Sequence, residues 1–389
     1  MHGRDRRLNT MPAMAADIAI IGAGPLGLAT ALALHRRGQR PVVLDARTPA
    51  AHATDARILA LSHGSRELLE LLNAWPTAQA TPIRQIHVSQ QGGLGSTRLA
   101  ADEYGLPALG YVMAASALAA ALLQRVQALG IPLHFETTVG TIEAGANMVR
   151  LNLPDSAHLE ARLVACCEGS IPDEAAARRR DYAQHALLCR ATLAVPHQHL
   201  ACERFTAQGP IALLPCGADY AIVWTVPAER ADALMAAPDA EWISALQTAI
   251  GPLAQICSIS ERARYPLGLR MRSRITAPRQ VWLGNAAQTL HPVAGQGFNL
   301  ALRDAWELAD TLTGAPDPGA PELLARYARG RRPDREGAAA FTDLLVETFS
   351  SDLPLLPDLR GLGLLALDAL PPLRHFVARR MIYGARAWP

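Results

Sequence analysis

The arrangement that most restricts this chain lies near its beginning, where Gly22, Gly24 and Gly27 form G-x-G-x-x-G between an apolar run and a helix-forming segment. Residues 17–21, DIAII, are a short apolar stretch bounded by glycine, the pattern of a buried parallel strand. Leu26, Leu28, Ala29, Leu32, Ala33 and Leu34 predict the helix that follows, and Gly38 stands where a C-terminal cap belongs. Residues 41–46, PVVLDA, are then a second strand, so the chain opens on a βαβ unit. Each glycine has a task in that setting. The first permits the tight turn, the second lets backbone approach a pyrophosphate, and the third brings helix and strand close. The helix N-terminus supplies partial positive charge for phosphates. Asp45, at the end of the second strand, is expected to meet a ribose hydroxyl. The motif by itself leaves open whether the dinucleotide is FAD or NAD.

Composition narrows the field around that unit. The chain has 389 residues, which predicts two domains at roughly 100 to 200 residues each. Half of the residues are hydrophobic and 19% are charged, the usage of a globular protein rather than a disordered or fibrous one. Against 35 acidic residues stand 37 basic ones, a formal charge of +2, too balanced for the basic face that a nucleic-acid backbone requires. No nucleic-acid partner is expected. All the basic residues are arginine. Without lysine there is no Schiff base, which excludes pyridoxal phosphate enzymes and lysine-dependent aldolases, and no Walker-A loop. Cys166, Cys167, Cys189, Cys202, Cys216 and Cys257 show no C-x-x-C spacing; buried, reduced thiols and no metal site are expected. The basic N-terminal stretch has no apolar segment of signal-peptide type, and no apolar run reaches the roughly 18 residues needed to span a bilayer. The expected location is cytoplasmic, at most peripheral to the inner membrane.

Farther along, helices are expected over 66–75 and 115–129, and strands over 83–89, 133–137 and 163–167. Short β-like runs between 187 and 226, IALLP and YAIVWTV among them, suggest a second, sheet-rich layer. The chain returns to a strand at 281–285 and a helix over 297–312, so the opening unit is completed from far down the sequence. From 322 onward the pattern is helical, with breaks at Pro354, Pro357, Pro371 and Pro372. Between the returning strand and its helix, Pro292, Gly295 and Gly297 form a short loop that exposes backbone N–H groups at a helix start. Such a loop can receive the negative charge of a reduced flavin ring, or a ribityl chain and phosphate.

GAGPLG at 22–27, DARILALS at 55–62 and GNAAQTLHPVAGQGFNLALRD at 284–304 resemble the FAD-dependent aromatic-ring hydroxylases of ubiquinone biosynthesis, within the single-component flavin monooxygenases. FTAQGPIALLP at 205–215 is similar to the family's middle sheet, and TDLLVETF and GLGLLALDALPPL to its C-terminal helices. The resemblance implies an α/β fold in which a glutathione-reductase-like Rossmann FAD domain is interleaved with a β-sheet substrate domain and followed by a helical C-terminus. It implies FAD-binding parts at 17–80, 111–184 and 276–320, substrate-domain parts at 81–110 and 185–275, a disordered extension over 1–16 and helices over 321–389. NAD(P)H would reduce the FAD, and O2 would supply an oxygen atom to a polyprenyl phenol. The GNAAQTLHP version points to position C1 of a 2-polyprenyl-6-methoxyphenol. The cofactor-binding residues carried over are Gly22, Gly24, Pro25, Leu26, Gly27, Asp45, Arg57, Glu168, Asn285, Pro292, Gly295, Gln296, Gly297, Phe298 and Asn299. Asn285 and Gln288 stand where the family commonly has the Asp and His of G-D-A-A-H.

One stretch departs further. The family's D-G-x-x-S-x-x-R, associated with FAD and NAD(P)H, is here Glu168 and Gly169, with Pro172 and Ala175 at the Ser and Arg positions. Arg178, Arg179 and Arg180 either compensate or form a solvated basic run. His291 is a weak candidate for a catalytic base, and is equally read as a packed loop residue. Residues 362–373, followed by Arg374, Arg379, Arg380 and Arg386, suit either a membrane-contacting surface or a helix packed on the core. Three readings follow: an active hydroxylase, a weakly active FAD-binding or scaffold subunit of a ubiquinone-biosynthesis protein complex, and a flavin oxidase or reductase.

Overall fold

In the computed structural model the described residues are 15–384, except 94, 174, 292–294, 351–360, 362, 364, 366 and 367. Pro292, Pro354, Pro357 and the extension as far as residue 14 therefore lie outside the described residues. The strand Ala15–Ile21 runs parallel to Pro41–Leu44 on one side and to His158–Cys166 on the other, and Gln280–Trp282 runs parallel beyond the latter. Segments far apart in sequence thus end side by side at Ile21, Leu44, Cys166 and Trp282. In open parallel sheets, ligands bind beyond such carboxyl ends. The helix Pro25–Arg36 is buried from Pro25 to Leu34. It packs on the sheet and against the helices Ala115–Ala128 and Gln296–Thr311, which explains why its Ala/Leu pattern is continuous rather than one-sided.

A nine-stranded, mostly antiparallel sheet forms the second layer. Its strands alternate between two faces with period two. On Asp219–Pro227, Ile222, Trp224 and Val226 turn toward the helices Ala228–Ala236 and Asp239–Ile250, where Trp224 meets Trp242 edge-on at 5.3 Å. Val223 and Thr225 turn the other way, into an open cavity. One face is therefore closed by helices and the other is left for something else.

Several elements differ from the expectation. Residues 83–89 are divided: Thr81–Ile83 joins Gly110–Ala114 and Ile58–Ser62 in a three-stranded sheet, while Gln85–Gln90 pairs with Leu200–Thr206 in the nine-stranded one. Ile58–Ser62 was not expected to be a strand; its one paired neighbour, Gly110–Ala114, lies far away in sequence. The boundary expected at 185 is also corrected, because the strand Ala177–Leu193 is continuous across it and pairs with both Asp219–Pro227 and Ala263–Arg272. Gln288–Thr289, expected within an FAD-binding part, hydrogen-bonds to Ala263–Arg272. Long antiparallel ladders cross the intended border because pairing is decided by the partner strand, which local composition does not reveal. Cys257 is exposed, against the expectation that all six thiols are buried. The C-terminal part holds the helices Pro321–Ser350 and Pro371–Tyr383. Among the described residues no helix is long and apolar enough to cross a membrane.

Candidate functional site

The three N-terminal glycines divide their tasks in the structure. Gly22 has φ +106°, a left-handed conformation, and a Cβ there would lie 2.7 Å from Glu168 Cβ. On Gly27 a Cβ would come to 1.8 Å from the Gly22 carbonyl oxygen, so helix and turn touch through backbone. A Cβ on Gly24 would meet nothing within 4 Å. The open space above Gly24 lies at the N-terminus of Pro25–Arg36, where no side chain caps the free N–H groups. Gly284, φ +56°, presses on Leu26, to whose Cδ2 a Cβ would be 2.3 Å. This places the exposed Asn285 beside the glycine turn.

Asp45 holds that turn. Its carboxylate accepts from the amide of Ala23 at 2.7 Å and of Arg47 at 2.7 Å, and lies 3.0 Å from His52 Nε2. Burial alone would raise its pKa, but the two amides and the Arg47 guanidinium outweigh that and hold it below the ordinary value. Its side chain is 0% exposed. Where direct contact with a ribose hydroxyl was expected, both oxygens are engaged by the protein, one by the Ala23 amide and His52 and the other by the Arg47 amide. Glu168, by contrast, is partly exposed over Gly22. Burial, and then the charge of Asp45, raise its pKa, while Arg47, 3.8 Å away, opposes them.

A second cradle forms at the start of Gln296–Thr311. Gly295 is left-handed at φ +60°, and a Cβ on Gly297 would meet nothing within 4 Å. Asn299 was expected to touch the cofactor; instead its amide is fully used by protein. Its Oδ1 accepts from the Ser62 amide at 2.8 Å and Ser65 Oγ at 2.7 Å, and its Nδ2 donates to the carbonyls of Ala60 and Gly295 at 2.9 Å each. Asn299 therefore fixes the loop against the strand Ile58–Ser62. His291 is buried, edge-on to Tyr182 at 5.3 Å, and burial lowers its pKa to about 4. It is neutral at pH 7 and is placed as a packed loop residue. Gln288 bridges Asp304 and Arg335 at 2.6 Å each.

Between this loop and the nine-stranded sheet lies a cavity of about 700 Å³, almost wholly apolar. Ala60, Leu290, Gly295, Gly297 and Phe298 form its flavin-loop side, Val88, Glu203, Ala212 and Val223 its sheet side, and Phe341, Leu344, Val377 and Met381 its helical side. Arg57, expected near a flavin, stands at the edge of this region, 56% exposed and paired with Asp55 at 2.6 Å. Arg178 and Arg180 keep contact with solvent, the Arg178 side chain 57% exposed, but each is also paired. Arg178 pairs with Asp343 and Arg180 with Glu347 at 2.5 Å, both on the helix Pro321–Ser350.

Arg47, His52, Thr97 and Glu203 went unread in the sequence. Glu203 had a visible signal, an acid alternating with Ala201 and Phe205 on an otherwise inward strand face. Two open backbone cradles at two helix N-termini, with an apolar cavity beside the second, fit a flavin dinucleotide whose ring end reaches the cavity.

Comparison with known proteins agrees with that geometry. A family model described as FAD binding domain matches residues 15–342. The chain is 32% identical over 391 aligned residues to ubiquinone hydroxylase UbiL of Rhodospirillum rubrum, covering 96% of this chain and 91% of that protein. It is 29% identical to 3-demethoxyubiquinol 3-hydroxylase of Escherichia coli, over 90% of this chain and 94% of that one. In fold it is similar to Klebsiella pneumoniae HpxO solved with FAD, at a TM-score of 0.75 and 17% identity, covering 95% and 100% of the two chains.

Proposed function

Because the chain belongs to the FAD binding domain family and, within it, to the FAD-dependent hydroxylases of ubiquinone biosynthesis, we propose that its substrate is a polyprenyl phenol and that it acts on a 2-polyprenyl-6-methoxyphenol at the carbon para to the hydroxyl, C1 in the numbering of the quinone ring. The enzyme is a flavin monooxygenase using NAD(P)H and O2. The observation that carries the substrate reading is the apolar cavity of about 700 Å³ against the second glycine loop. It has the size and character of a ligand site and room for a ring with the first part of an isoprenoid tail.

The turn at Gly22, Gly24, Pro25, Leu26 and Gly27 would hold the FAD pyrophosphate at the helix N-terminus, with Glu168 and Arg47 on its ribose side. Asn285 suits the ribityl chain through its amide. Gly295, Gln296, Gly297 and Phe298 would receive the ring end, kept in place by Asn299. Bound FAD supplies the redox chemistry, passing electrons from NAD(P)H to O2 so that one oxygen atom reaches the ring. The protein orients the ring and keeps water away with the cavity walls.

Leu365, Leu370, Leu373 and Phe376 are exposed around the helical wall of the cavity, as is the cation Arg379. This supports peripheral contact with the membrane that would hold a polyprenyl substrate, the apolar residues entering the headgroup region. The scaffold reading gains no support, since both cradles and the cavity are intact.

Deleting the gene and identifying the accumulated quinone precursor by mass spectrometry tests the assignment. A precursor lacking the C1 hydroxyl is expected. Accumulation of a precursor already hydroxylated there would reassign the ring position, and unchanged ubiquinone with no precursor would refute the function.

A further inference from the structure

Glu203 is the one carboxylate among the described residues that line the cavity. It lies on the strand Leu200–Thr206, opposite Ala212 on one neighbouring strand and Val88 on the other. Val88 in turn faces Thr97, and Ala212 faces Val223. These five side chains form a single row across the sheet, all of them lining the cavity, with Glu203 at the centre.

The half-buried Glu203 has no hydrogen bond or ion pair among the described residues, and beside it Thr97 Oγ1 is buried without a partner. The cations nearby are engaged elsewhere. Arg204 Nε donates to the Ala249 carbonyl at 3.1 Å on the opposite sheet face, and Arg98 alternates with the cavity-facing Thr97 and Leu99. Arg374, also on the cavity lining, is paired with Glu103 at 3.0 Å. Burial is the cause that pushes the Glu203 carboxyl up to about 7. An acid held without a partner on the wall of an apolar cavity is costly to the fold, and groups with so perturbed a titration concentrate at functional sites.

We propose that Glu203 is a catalytic residue, the group that receives the hydroxyl of the substrate's phenol ring and takes its proton during hydroxylation. The inference rests on the phenol reading above and assigns a residue to it. The ring O–H bond breaks, its proton passes to a Glu203 oxygen, and the electron pair left on the phenolate is shared with the ortho and para ring carbons. One of those carbons takes up the oxygen atom that the NAD(P)H- and O2-dependent reaction delivers. That carbon then loses its hydrogen as a proton, which leaves with the second oxygen atom in water. Glu203 returns its own proton to the original ring oxygen and ends the cycle unchanged. A carboxyl titrating near neutrality is matched to such a task. Thr97 is placed to hydrogen-bond a second oxygen substituent.

The test uses FAD-loaded, oxidised protein and two probes, a short-tailed 2-methoxyphenol and its methyl ether, with binding followed by perturbation of the flavin spectrum. The phenol is expected to bind the wild type about tenfold tighter than the ether or better, the effect of a hydrogen bond to a charged acceptor. Glu203→Leu should lower phenol affinity to that of the ether and leave the ether's unchanged or improved, and Glu203→Gln should keep part of the preference. The rate of phenol hydroxylation should rise with pH through neutrality in the wild type, as Glu203 becomes the free carboxylate that takes the proton, and lose that rise in Glu203→Gln. Equal binding of phenol and ether by the wild type overturns the assignment with no variant required, as does a preference that survives in Glu203→Leu. If neither probe binds, the phenol reading itself fails and takes this role with it.

Discussion

At the residue scale, two glycines three residues apart make opposite demands. Gly24 has empty space where a side chain would go, whereas a Cβ on Gly27 would fall 1.8 Å from the Gly22 carbonyl oxygen. Gly24→Val should therefore fold with a melting temperature close to wild type, its extended backbone accepting a branched residue, yet purify without yellow flavin absorbance. Gly27→Ala should lose stability itself, by about 1–3 kcal/mol or more through overpacking, with flavin lost as a consequence. Thermal melts beside flavin absorbance separate the two; a Gly24→Val protein that keeps FAD would remove the pyrophosphate from this cradle. Both glycines were legible because their roles follow from spacing. Glu203 carried only its alternation with Ala201 and Phe205, because an acid on a strand becomes informative once the cavity that its face lines is known.

At the scale of elements, the helix Gln296–Thr311 is bolted to Pro321–Ser350 by buried charges. Arg303 meets Asp334 at 2.8 Å, Arg331 meets Asp304 at 2.5 Å and Asp334 at 2.8 Å, and Gln288 and Arg335 extend the chain. Burial would raise the pKa of Asp334, but Arg303 and Arg331 outweigh it and bring it to about 2. A folded pKa below the unfolded one gives stability that is present above the unfolded value near 4 and is lost as pH falls toward 2, about 2–3 kcal/mol in all. Asp334→Asn leaves two buried guanidinium groups short of charge and should cost about 3–5 kcal/mol at neutral pH. The penalty should shrink in acid, as urea denaturation across pH would record. FAD affinity should weaken as well, since this helix begins at the second cradle. A variant as stable as wild type at neutral pH would show the pair to be superfluous. The sequence displayed the charges but not their burial.

Across the whole molecule, the helix Pro321–Ser350 touches both the cavity and the segment that departs from the family pattern. Phe341, Leu344 and Leu345 line the cavity, while Asp343 and Glu347 hold Arg178 and Arg180. Tyr182, the neighbour of His291, also donates to Asp343. A ring filling the cavity therefore presses on the same helix that positions the altered stretch. Flavin reduction by NADPH is expected to be slow without a phenol and faster with one, since an incompletely formed site lowers apparent affinity by its competent fraction. Stopped-flow reduction with and without a short-tailed methoxyphenol measures this. Full-speed reduction in the absence of any phenol would uncouple the two regions.

What the sequence determined by itself was local order: the strand, turn and helix around Gly22, the return of the chain to the same sheet near 281, the second glycine loop, and the period-two runs of the middle sheet. These follow from backbone sterics and from apolar periodicity, which act over a few residues. Tertiary structure alone decided the rest. It carried Ala177–Leu193 across the expected boundary, turned Asp45 and Asn299 inward to hold loops, paired Arg178 and Arg180 with a distant helix, and left Glu203 facing an apolar cavity without a partner. Each of those outcomes is set by which distant segments pack together, because a side chain's partners, burial and charge state belong to its surroundings and not to its position in the chain.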